Sequence, residues 1–435
     1  MTMRKEDILE ILVDWNFWER EQDVGKKRPY WIKELESISK IGEIVTITGV
    51  RRCGKSTLLL QFCRELLKKG VDRGDILIVN LEDPRFRGIS LELLNRVYEV
   101  YLEELNPSKK HYVILDEVQA VGGWEKFVRF LHENKKIHVF VTGSTSKLLE
   151  SDYSSVITGR HIDLSIYPLS FNEYLDFKGL RVDSKLKIIS KRHEVKRMFK
   201  EYVEFGGFPK VCLVENGNKK ELLKTYFSDI ITKDILLRHK LIEKEILEEL
   251  AKYYLSNISS MCSFNKLKNI FGISLDTVGR FSGYLSSAYL LFFIKKFSYK
   301  VKEQILNPRK VYCMDTGLRN AVSFRFMQDL GRLYENAVAI ELKRRNKDIY
   351  YWRDYQHREI DFVIKEGQAV NGLIQVCYNI EDDETKKREV RSLLKGMDEF
   401  KLNEGLVITE DYESEEEIKN NKIIYKPLWK WLLEQ

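Results

Sequence analysis

The sequence predicts an α/β fold with a parallel-sheet core, a mainly helical middle part and a second α/β region at the C-terminal end. From Gly42 to about Tyr167, short apolar runs alternate with helical stretches, which is typical of a parallel sheet covered on both faces. After Leu175 helices dominate, and from about Asn307 strands return. A chain of 435 residues is also too long for one core, so several domains are expected.

The composition is that of a soluble globular protein, with 43% hydrophobic and 32% charged residues. A net charge of +7 permits nucleic-acid binding without demanding it. The six cysteines form no C-x-x-C pair, so neither a zinc ribbon nor a disulfide framework is indicated. The longest apolar stretch, Ala288–Ile294, is too short to span a bilayer, and no leader is visible, so a cytoplasmic protein without a membrane partner is expected.

The first two segments are an N-terminal helical arm at 1–40 and a core domain at 41–170. In the arm, charged residues alternate around a few apolar ones, as expected for an element that packs on a larger body. In the core, helices are expected at 56–69, 90–104 and 124–133. The predicted strands are Ile44–Thr48, Asp75–Asn80, Tyr112–Asp116, Ile137–Thr142 and Ile162–Ile166.

The first strand leads into a glycine loop that fits G-x-x-x-x-G-K-[ST] at every fixed position. In such a loop the glycines let backbone N–H groups face a phosphate, the lysine reaches the β- and γ-phosphates, and the serine hydroxyl ligates Mg²⁺. The pattern therefore predicts ATP and Mg²⁺ as cofactors. Arg51 and Arg52 are candidates for phosphate contact, although most such positions face solvent. The predicted nucleotide-binding residues are Gly49, Val50, Arg51, Arg52, Cys53, Gly54, Lys55, Ser56 and Thr57.

The third strand ends in two carboxylates, Asp116 and Glu117. Beside a phosphate loop, this position predicts that Asp116 joins Ser56 in the Mg²⁺ shell and that Glu117 polarises a water molecule. The alternative is that the two carboxylates only begin a helix.

The fourth strand ends in hydroxyl side chains, and a polar residue there would lie between the first and third strands, facing the γ-phosphate. Ser144 is the predicted residue and Thr142 the second choice. Alternatively, Ser144 caps a helix that starts at Lys147.

Arg160 precedes the fifth predicted strand. An arginine can stabilise charge on a transferred phosphoryl group, either in its own subunit or in a neighbour. Action on a neighbour would require a homo-oligomer. A structural salt bridge is the equal alternative.

Several of these segments together resemble the prokaryotic AAA-type ATPases that carry a C-terminal domain of unknown function, DUF4143. The resemblance rests on the glycine loop and on four further segments: Leu115–Gln119, Val141–Ser144, Thr158–Arg160 and Tyr167–Leu175. It extends over nearly the whole chain and implies an AAA+-like core, a helical lid, a winged helix and a degenerate nuclease-like end.

The lid is expected at 171–240, with helices at 172–179, 193–205 and 219–236. The resemblance places the turn Gly206–Pro209 in this lid and implies that the basic residue after it, Lys210, senses nucleotide. The alternative is a turn that simply needs two glycines and a proline.

A winged helix-turn-helix is expected at 241–305, with helices at Glu243–Ser256, Ser263–Phe271 and Ser274–Ser287. Leu290–Ile294 and Phe297–Val301 would form the wing. The recognition helix is expected to offer four side chains to DNA, and a protein-docking role is the alternative. These side chains belong to Asp276, Thr277, Arg280 and Ser282.

The last segment, 306–435, resembles the PD-(D/E)XK nuclease fold in its order of helix, three strands, helix and strand. Active members hold Mg²⁺ with acidic groups and use a lysine on the third strand. Glu335 and Asp361 supply two acids here, but Gln375 and Cys377 stand where a further acid and the lysine belong. Nuclease chemistry is therefore not expected. The acidic run Glu410–Glu417 is interpreted as a solvated loop and helix start.

Taken together, the sequence predicts an AAA+-like, Mg²⁺-dependent ATPase that couples nucleotide state to C-terminal modules. The alternative is a slow nucleotide-gated switch that grips DNA or a protein. DNA is the candidate partner of the winged helix, and a protein is the candidate partner of the C-terminal domain.

Overall fold

The computed structural model describes residues 3–86, 88–146, 157–323 and 330–434. The chain divides into two compact units, Met1–Ile166 and Tyr167–Gln435. Within the described ranges, no helix is long and apolar enough to cross a membrane.

The first unit is built on a parallel five-stranded sheet of order β2-β3-β4-β1-β5. Every strand starts and ends within one residue of its predicted position, because continuous apolar runs of this length are what a sheet covered on both faces requires. The strands are β1 (Ile44–Thr48), β2 (Ile76–Asn80), β3 (His111–Asp116), β4 (Ile137–Gly143) and β5 (His161–Ser165). The helices are α1 (Lys5–Trp15), α2 (Pro29–Ser39), α3 (Lys55–Lys68), α4 (Leu91–Leu105) and α5 (Trp124–Glu133).

The N-terminal arm is part of this unit. Apolar residues of α1 are buried in the same core as those of α4 and α5. After α1, the Asn16 side chain exchanges two hydrogen bonds with the backbone of Ile78, at 2.7 and 2.9 Å. These bonds satisfy backbone groups on the outer edge of β2, which would otherwise be an open sheet edge.

The second unit begins with a helical region. Its first helix starts with a capping box, in which Ser170 accepts a bond from the Glu173 backbone and Glu173 accepts one from the Ser170 backbone. The helices are α6 (Phe171–Phe177), α7 (Lys185–Ser190), α8 (Arg192–Phe205), α9 (Pro209–Leu213) and α10 (Asn216–Asp229), which continues as a π-helical segment, Ile230–Leu237. The sequence did not predict α7.

The turn between α8 and α9 is fixed by tertiary contacts. Asp315 accepts a hydrogen bond from the Gly207 N–H at 2.7 Å, and the Leu169 N–H donates to the Gly207 carbonyl at 2.6 Å. A Cβ atom at Gly206, where φ is +75°, would lie 2.0 Å from the Asp315 carboxylate. The two glycines are therefore required by close approach to Asp315 and Leu169 and not only by the turn.

The next region holds three helices and a small antiparallel sheet of order β6-β8-β7. The elements are α11 (Lys244–Ser256), β6 (Ser260–Cys262), α12 (Phe264–Phe271), α13 (Leu275–Ser287), β7 (Leu291–Ile294), α14 (Val301–Leu306) and β8 (Arg309–Cys313). The predicted second wing strand, Phe297–Val301, is wrong. β7 pairs with β8 instead, because Phe297 is buried in the C-terminal core and Val301 begins a helix. The predicted domain boundary at 305/306 consequently falls between β7 and β8, which pair in this sheet.

The C-terminal region contains a six-stranded sheet of order β13-β14-β12-β11-β10-β9. It has the predicted order of helix, three strands, helix and strand. Its elements are α15 (Thr316–Val322), α16 (Leu330–Arg344), β9 (Asp348–Arg353), β10 (Glu359–Glu366), β11 (Ala369–Val376), α17 (Asp383–Phe400), β12 (Glu404–Thr409), β13 (Ser414–Ile418), β14 (Asn421–Pro427) and α18 (Leu428–Trp431).

The acidic run in this region was not interpreted correctly from the sequence. Its second half forms β13, an edge strand paired antiparallel to β14. Charged residues on an edge strand keep it from pairing with other chains, and Glu416 accepts a hydrogen bond from Tyr425 at 2.9 Å.

Candidate functional site

The glycine loop leaves β1 at the carboxyl edge of the parallel sheet. Its backbone has positive φ at Gly49 (146°), Arg52 (72°) and Gly54 (100°). A Cβ atom at Gly49 would lie 2.1 Å from the Ile166 carbonyl oxygen, so this position accepts only glycine. The loop then runs directly into α3, and the N-terminal end of a helix favours an anion.

Lys55 is buried at the centre of the loop, with only 4% of its surface exposed. Its ammonium donates to the Gly49 carbonyl at 3.0 Å and lies 4.0 Å from the Glu117 carboxylate. A buried ammonium held by carbonyl groups can exchange these partners for phosphate oxygens with little movement of its stem.

Asp116 and Glu117 lie at the end of β3, next to this lysine. The Thr142 hydroxyl donates to Asp116 at 2.5 Å and accepts from the Glu117 N–H at 2.9 Å. The Ser56 hydroxyl also hydrogen bonds to Asp116. Burial, reinforced by the charge of Glu117, raises the pKa of Asp116, and these hydrogen bonds oppose the rise. A divalent cation beside Ser56 and Asp116 would reduce the electrostatic repulsion between Asp116 and Glu117.

Glu117 itself has backbone φ of +58°, in the left-handed region that non-glycine residues rarely adopt. Its carboxylate accepts a hydrogen bond from the Gln119 amide at 2.5 Å. The side chain is thereby held near Lys55 of the loop. Glu117 is also the N-cap residue of a short 3-10 helix, Val118–Ala120, so the helix-start alternative stays open.

The end of β4 lies between β3 and β1, as the sequence predicted. Thr142, the second choice, is the residue whose hydroxyl links the Asp116 carboxylate to the Glu117 backbone N–H. Ser144 is fully buried one residue beyond the strand, and its role stays a prediction. The helix expected from Lys147 lies outside the described residues.

The remaining loop residues differ in how far their side chains are exposed to solvent. Cys53 is buried, and its thiol contacts the Ile166 carbonyl oxygen at 3.3 Å. Arg51 pairs with Glu82 at 3.1 Å, while Arg52 and Thr57 are exposed. Cys53 is therefore a packing residue of the loop, and the two arginines stay candidates for phosphate contact.

Arg28 of the N-terminal arm supports the loop from behind, which the sequence did not reveal. Its buried guanidinium donates to the Cys53 carbonyl at 3.1 Å. Gln61 of α3 accepts the Arg28 N–H at 3.0 Å and donates to the Val24 carbonyl at 2.8 Å. The arm thus ties the loop and the following helix together.

Arg160 and the loop lie at opposite ends of the parallel strands. Arg160 precedes His161, which pairs with Ile44 at the start of β1, whereas the loop follows the end of β1. The five residues of β1 separate these two ends by about 16 Å. Arg160 does not reach the loop of its own chain, and its guanidinium lies 3.8 Å from Glu133.

The acids predicted in the C-terminal domain do converge, but around a lysine that the sequence analysis missed. Lys310 of β8 lies 2.9 Å from both Glu335 and Asp361 and 2.7 Å from Glu359. Gln375 donates to Glu389 at 2.5 Å, and burial raises the pKa of Cys377 to about 12. These residues do not fit a Mg²⁺ site, because an ammonium occupies the space between the carboxylates.

The expected DNA-reading side chains of α13 are only partly exposed. Ser282 is buried and bonds to the Tyr254 hydroxyl at 2.7 Å, so its predicted role in recognition is wrong. The Thr277 backbone is capped by Ser274, while Asp276 and Arg280 are exposed. Lys210 is exposed on α9 in the second unit.

Three family models match the chain in succession. An AAA domain matches residues 42–175, a domain of unknown function (DUF8612) matches 196–329, and a second one (DUF4143) matches 330–431.

Relatives match over nearly the full length. An uncharacterized protein of Methanocaldococcus jannaschii is 33% identical over 427 residues, which cover 94% of this chain and 93% of that protein. One from Haemophilus influenzae is 28% identical, covering 92% of this chain and 98% of that protein.

Solved structures are more distant. The Walker-type ATPase of Pyrococcus abyssi has a TM-score of 0.44 at 16% identity, covering 68% of this chain and 95% of that chain. The Orc1 protein of Aeropyrum pernix in complex with DNA has a TM-score of 0.33 at 13% identity, covering 73% and 96%. Because both scores are low, the fold assignment rests on the strand order and the family match.

Proposed function

Since this chain belongs to the family of AAA-domain proteins that carry a C-terminal DUF4143 domain, we propose that it is a Mg²⁺-dependent ATPase whose nucleotide state acts on its C-terminal modules. The observation that carries the proposal is the hydrogen-bonded group formed by Ser56, Asp116 and Thr142, with Lys55 and Glu117 beside it.

In this proposal Lys55 and the loop N–H groups bind the β- and γ-phosphates, while Ser56 and Asp116 would hold Mg²⁺. Bound Mg²⁺ would neutralise charge on the phosphate oxygens. Glu117, held by Gln119, orients or deprotonates the attacking water, and Ser144 contacts the γ-phosphate.

The test is phosphate release from ATP by the wild type, Lys55→Ala and Glu117→Gln. We expect both variants to lose most of the activity, and Lys55→Ala to lose nucleotide binding as well. Glu104→Gln is the matched control, since this exposed glutamate on α4 contacts Lys5 and not the loop. Equal phosphate release from all four proteins would refute the ATPase.

The second candidate function is a nucleotide-gated binding protein with slow turnover. Its distinguishing result would be tight ATP binding by the wild type with a rate of phosphate release no higher than that of Glu117→Gln.

DNA is the partner proposed for the three-helix region. The supporting observation is that Lys266, Lys268 and Arg280 are exposed on α12 and α13. Binding to duplex DNA should weaken steeply as salt rises and lose about one unit of salt slope for each cation removed. Absence of binding at low salt would favour a protein partner instead.

A further inference from the structure

The acid cluster of the C-terminal domain is built around the side chain of Lys310. This lysine is 2% exposed and lies on β8, in the small sheet that β8 forms with β6 and β7. The carboxylates come from elsewhere: Glu335 from α16, and Glu359 and Asp361 from β10. The cluster therefore links the β6-β8-β7 sheet to the six-stranded sheet of the C-terminal region.

The hydrogen-bond donors of Lys310 are all matched by carboxylates. An ammonium has three N–H donors, and three carboxylates lie within 2.9 Å of Lys310. Tyr312, two residues along β8, donates to Glu335 at 2.6 Å, and the Val376 N–H donates to Asp361 at 2.9 Å. Burial by itself would lower the pKa of Lys310, but the charges of Asp361 and Glu335 outweigh it and hold this pKa well above its ordinary value, so Lys310 stays charged.

A divalent ion has neither the space nor the remaining ligands. Lys310 fills the gap between Glu335 and Asp361, and the Gln375 side-chain amide oxygen accepts a hydrogen bond from the Asp361 N–H at 3.3 Å. Among the described residues, no group of three or more His, Cys, Asp or Glu side chains is arranged to hold a metal ion. This disagrees with the metal site that the nuclease resemblance implies.

We propose that Lys310 lies where the nuclease resemblance implies a metal ion, and that it acts as a latch that fixes the β6-β8-β7 sheet to the C-terminal domain. Backbone bonds support the same junction, since the Phe297 N–H donates to the Tyr351 carbonyl at 2.6 Å and the Tyr351 N–H donates to the Lys295 carbonyl at 3.1 Å. The latch would hold the three-helix region and the C-terminal domain together, and any response of the pair to nucleotide rests on the proposed function. The latch does not depend on ATP hydrolysis.

The first test uses Mn²⁺ binding to the full-length chain without nucleotide, measured by electron paramagnetic resonance. An Asp116→Asn background removes the charged one of the two proposed metal ligands at the loop, Ser56 and Asp116. We expect no Mn²⁺ bound per chain, even in large excess of the metal. One Mn²⁺ per chain that disappears on adding Asp361→Asn would overturn the proposal. This measurement does not alter the latch, so it cannot fail through misfolding of a Lys310 variant.

The second test measures thermal unfolding of Lys310→Met. Removing one partner from a buried ion cluster leaves unpaired carboxylates, and we expect the Tm of the second unit to fall by about 10 °C. Adding Glu335→Gln and Asp361→Asn should restore part of this loss, because the two most buried carboxylates are then neutral and only the more exposed Glu359 stays charged.

The matched control is Lys295→Met, an exposed lysine directly after β7, which should leave Tm unchanged. Hydrogen exchange of Arg309–Cys313 should rise in Lys310→Met and not in the control. A Lys310→Met variant as stable and as protected as Lys295→Met would overturn the latch.

Discussion

The Thr142 hydroxyl donates a hydrogen bond of 2.5 Å to the Asp116 carboxylate, joining neighbouring strands at the edge where the glycine loop begins. The same oxygen accepts the Glu117 N–H, so one side chain orients both acidic residues. Thr142 is thus a positioning residue of the proposed site.

We expect Thr142→Val to reduce the turnover number for ATP by about tenfold, since the buried Asp116 loses a donor. The free energy of unfolding should fall by about 1–3 kcal/mol. Steady-state kinetics and urea unfolding measure the two effects. Thr142→Ser is the control and should retain both properties. Full activity in Thr142→Val would show that this hydroxyl does not position the acids.

Arg28 gives a second prediction, because its guanidinium holds the Cys53 carbonyl inside the loop. Arg28→Met should raise the dissociation constant for ATP about tenfold, which corresponds to about 1.4 kcal/mol. Fluorescent-nucleotide titration would measure it. Lys27→Met is the control, since Lys27 pairs with Glu65 at the surface. Equal affinities in the two variants would contradict the supporting role of Arg28.

Arg160 lies too far from its own loop to act there, so any catalytic role must be exerted on a neighbouring chain. Arg160→Ala should then lower ATP turnover by about three orders of magnitude, as for other arginines that complete a phosphate site. Mixing Arg160→Ala with Glu117→Gln chains should restore activity at the interfaces that combine an intact arginine with an intact site. If the mixture stays inactive, or if Arg160→Ala alone is fully active, Arg160 has no catalytic role on a neighbouring chain and serves only to pair with Glu133.

Asp315 makes the stability of the second unit depend on pH. Burial raises the pKa of Asp315 to about 6, above its ordinary value. The folded chain therefore holds this proton over a range where the unfolded chain has released it. The stabilisation is complete below about pH 4 and is lost as pH rises through about 6, a change of about 3 kcal/mol.

Urea unfolding at several pH values can isolate this contribution. The difference in unfolding free energy between the wild type and Asp315→Asn should shrink as pH rises through this range. The exposed Asp276→Asn is the control, and its difference from the wild type should not change. A pH-independent difference for Asp315→Asn would mean that this carboxyl does not titrate as inferred.

Gly206 provides a backbone test of the same junction. An alanine there requires strained backbone and places its Cβ against the Asp315 carboxylate. We expect Gly206→Ala to destabilise the second unit by at least about 3 kcal/mol in denaturant unfolding. Gly283 of α13 has open space around its Cβ position, so Gly283→Ala should stabilise by up to about 1 kcal/mol. If the two substitutions had similar effects, the close approach of Asp315 would not be the reason why position 206 requires glycine.

Much of the first unit follows from the sequence by itself. The loop Gly49–Thr57, the five strands and the carboxylates at the end of β3 are all encoded in short segments, where apolar runs and glycine positions report local geometry. The position of β4 between β3 and β1 was also predicted, because the loop and the acidic pair together indicate one arrangement of strands.

Only the tertiary structure decided which distant side chains meet. The Thr142 hydroxyl meets Asp116, Arg160 lies at the far end of the strands from the loop, and Lys310 enters an acid cluster through Asp361, 51 residues away. No local pattern marks these pairs, because each depends on the packing of several elements. The loop can be recognised from its own glycines, whereas its contact with Arg28 and the contacts of Lys310 exist only because the fold brings distant segments together.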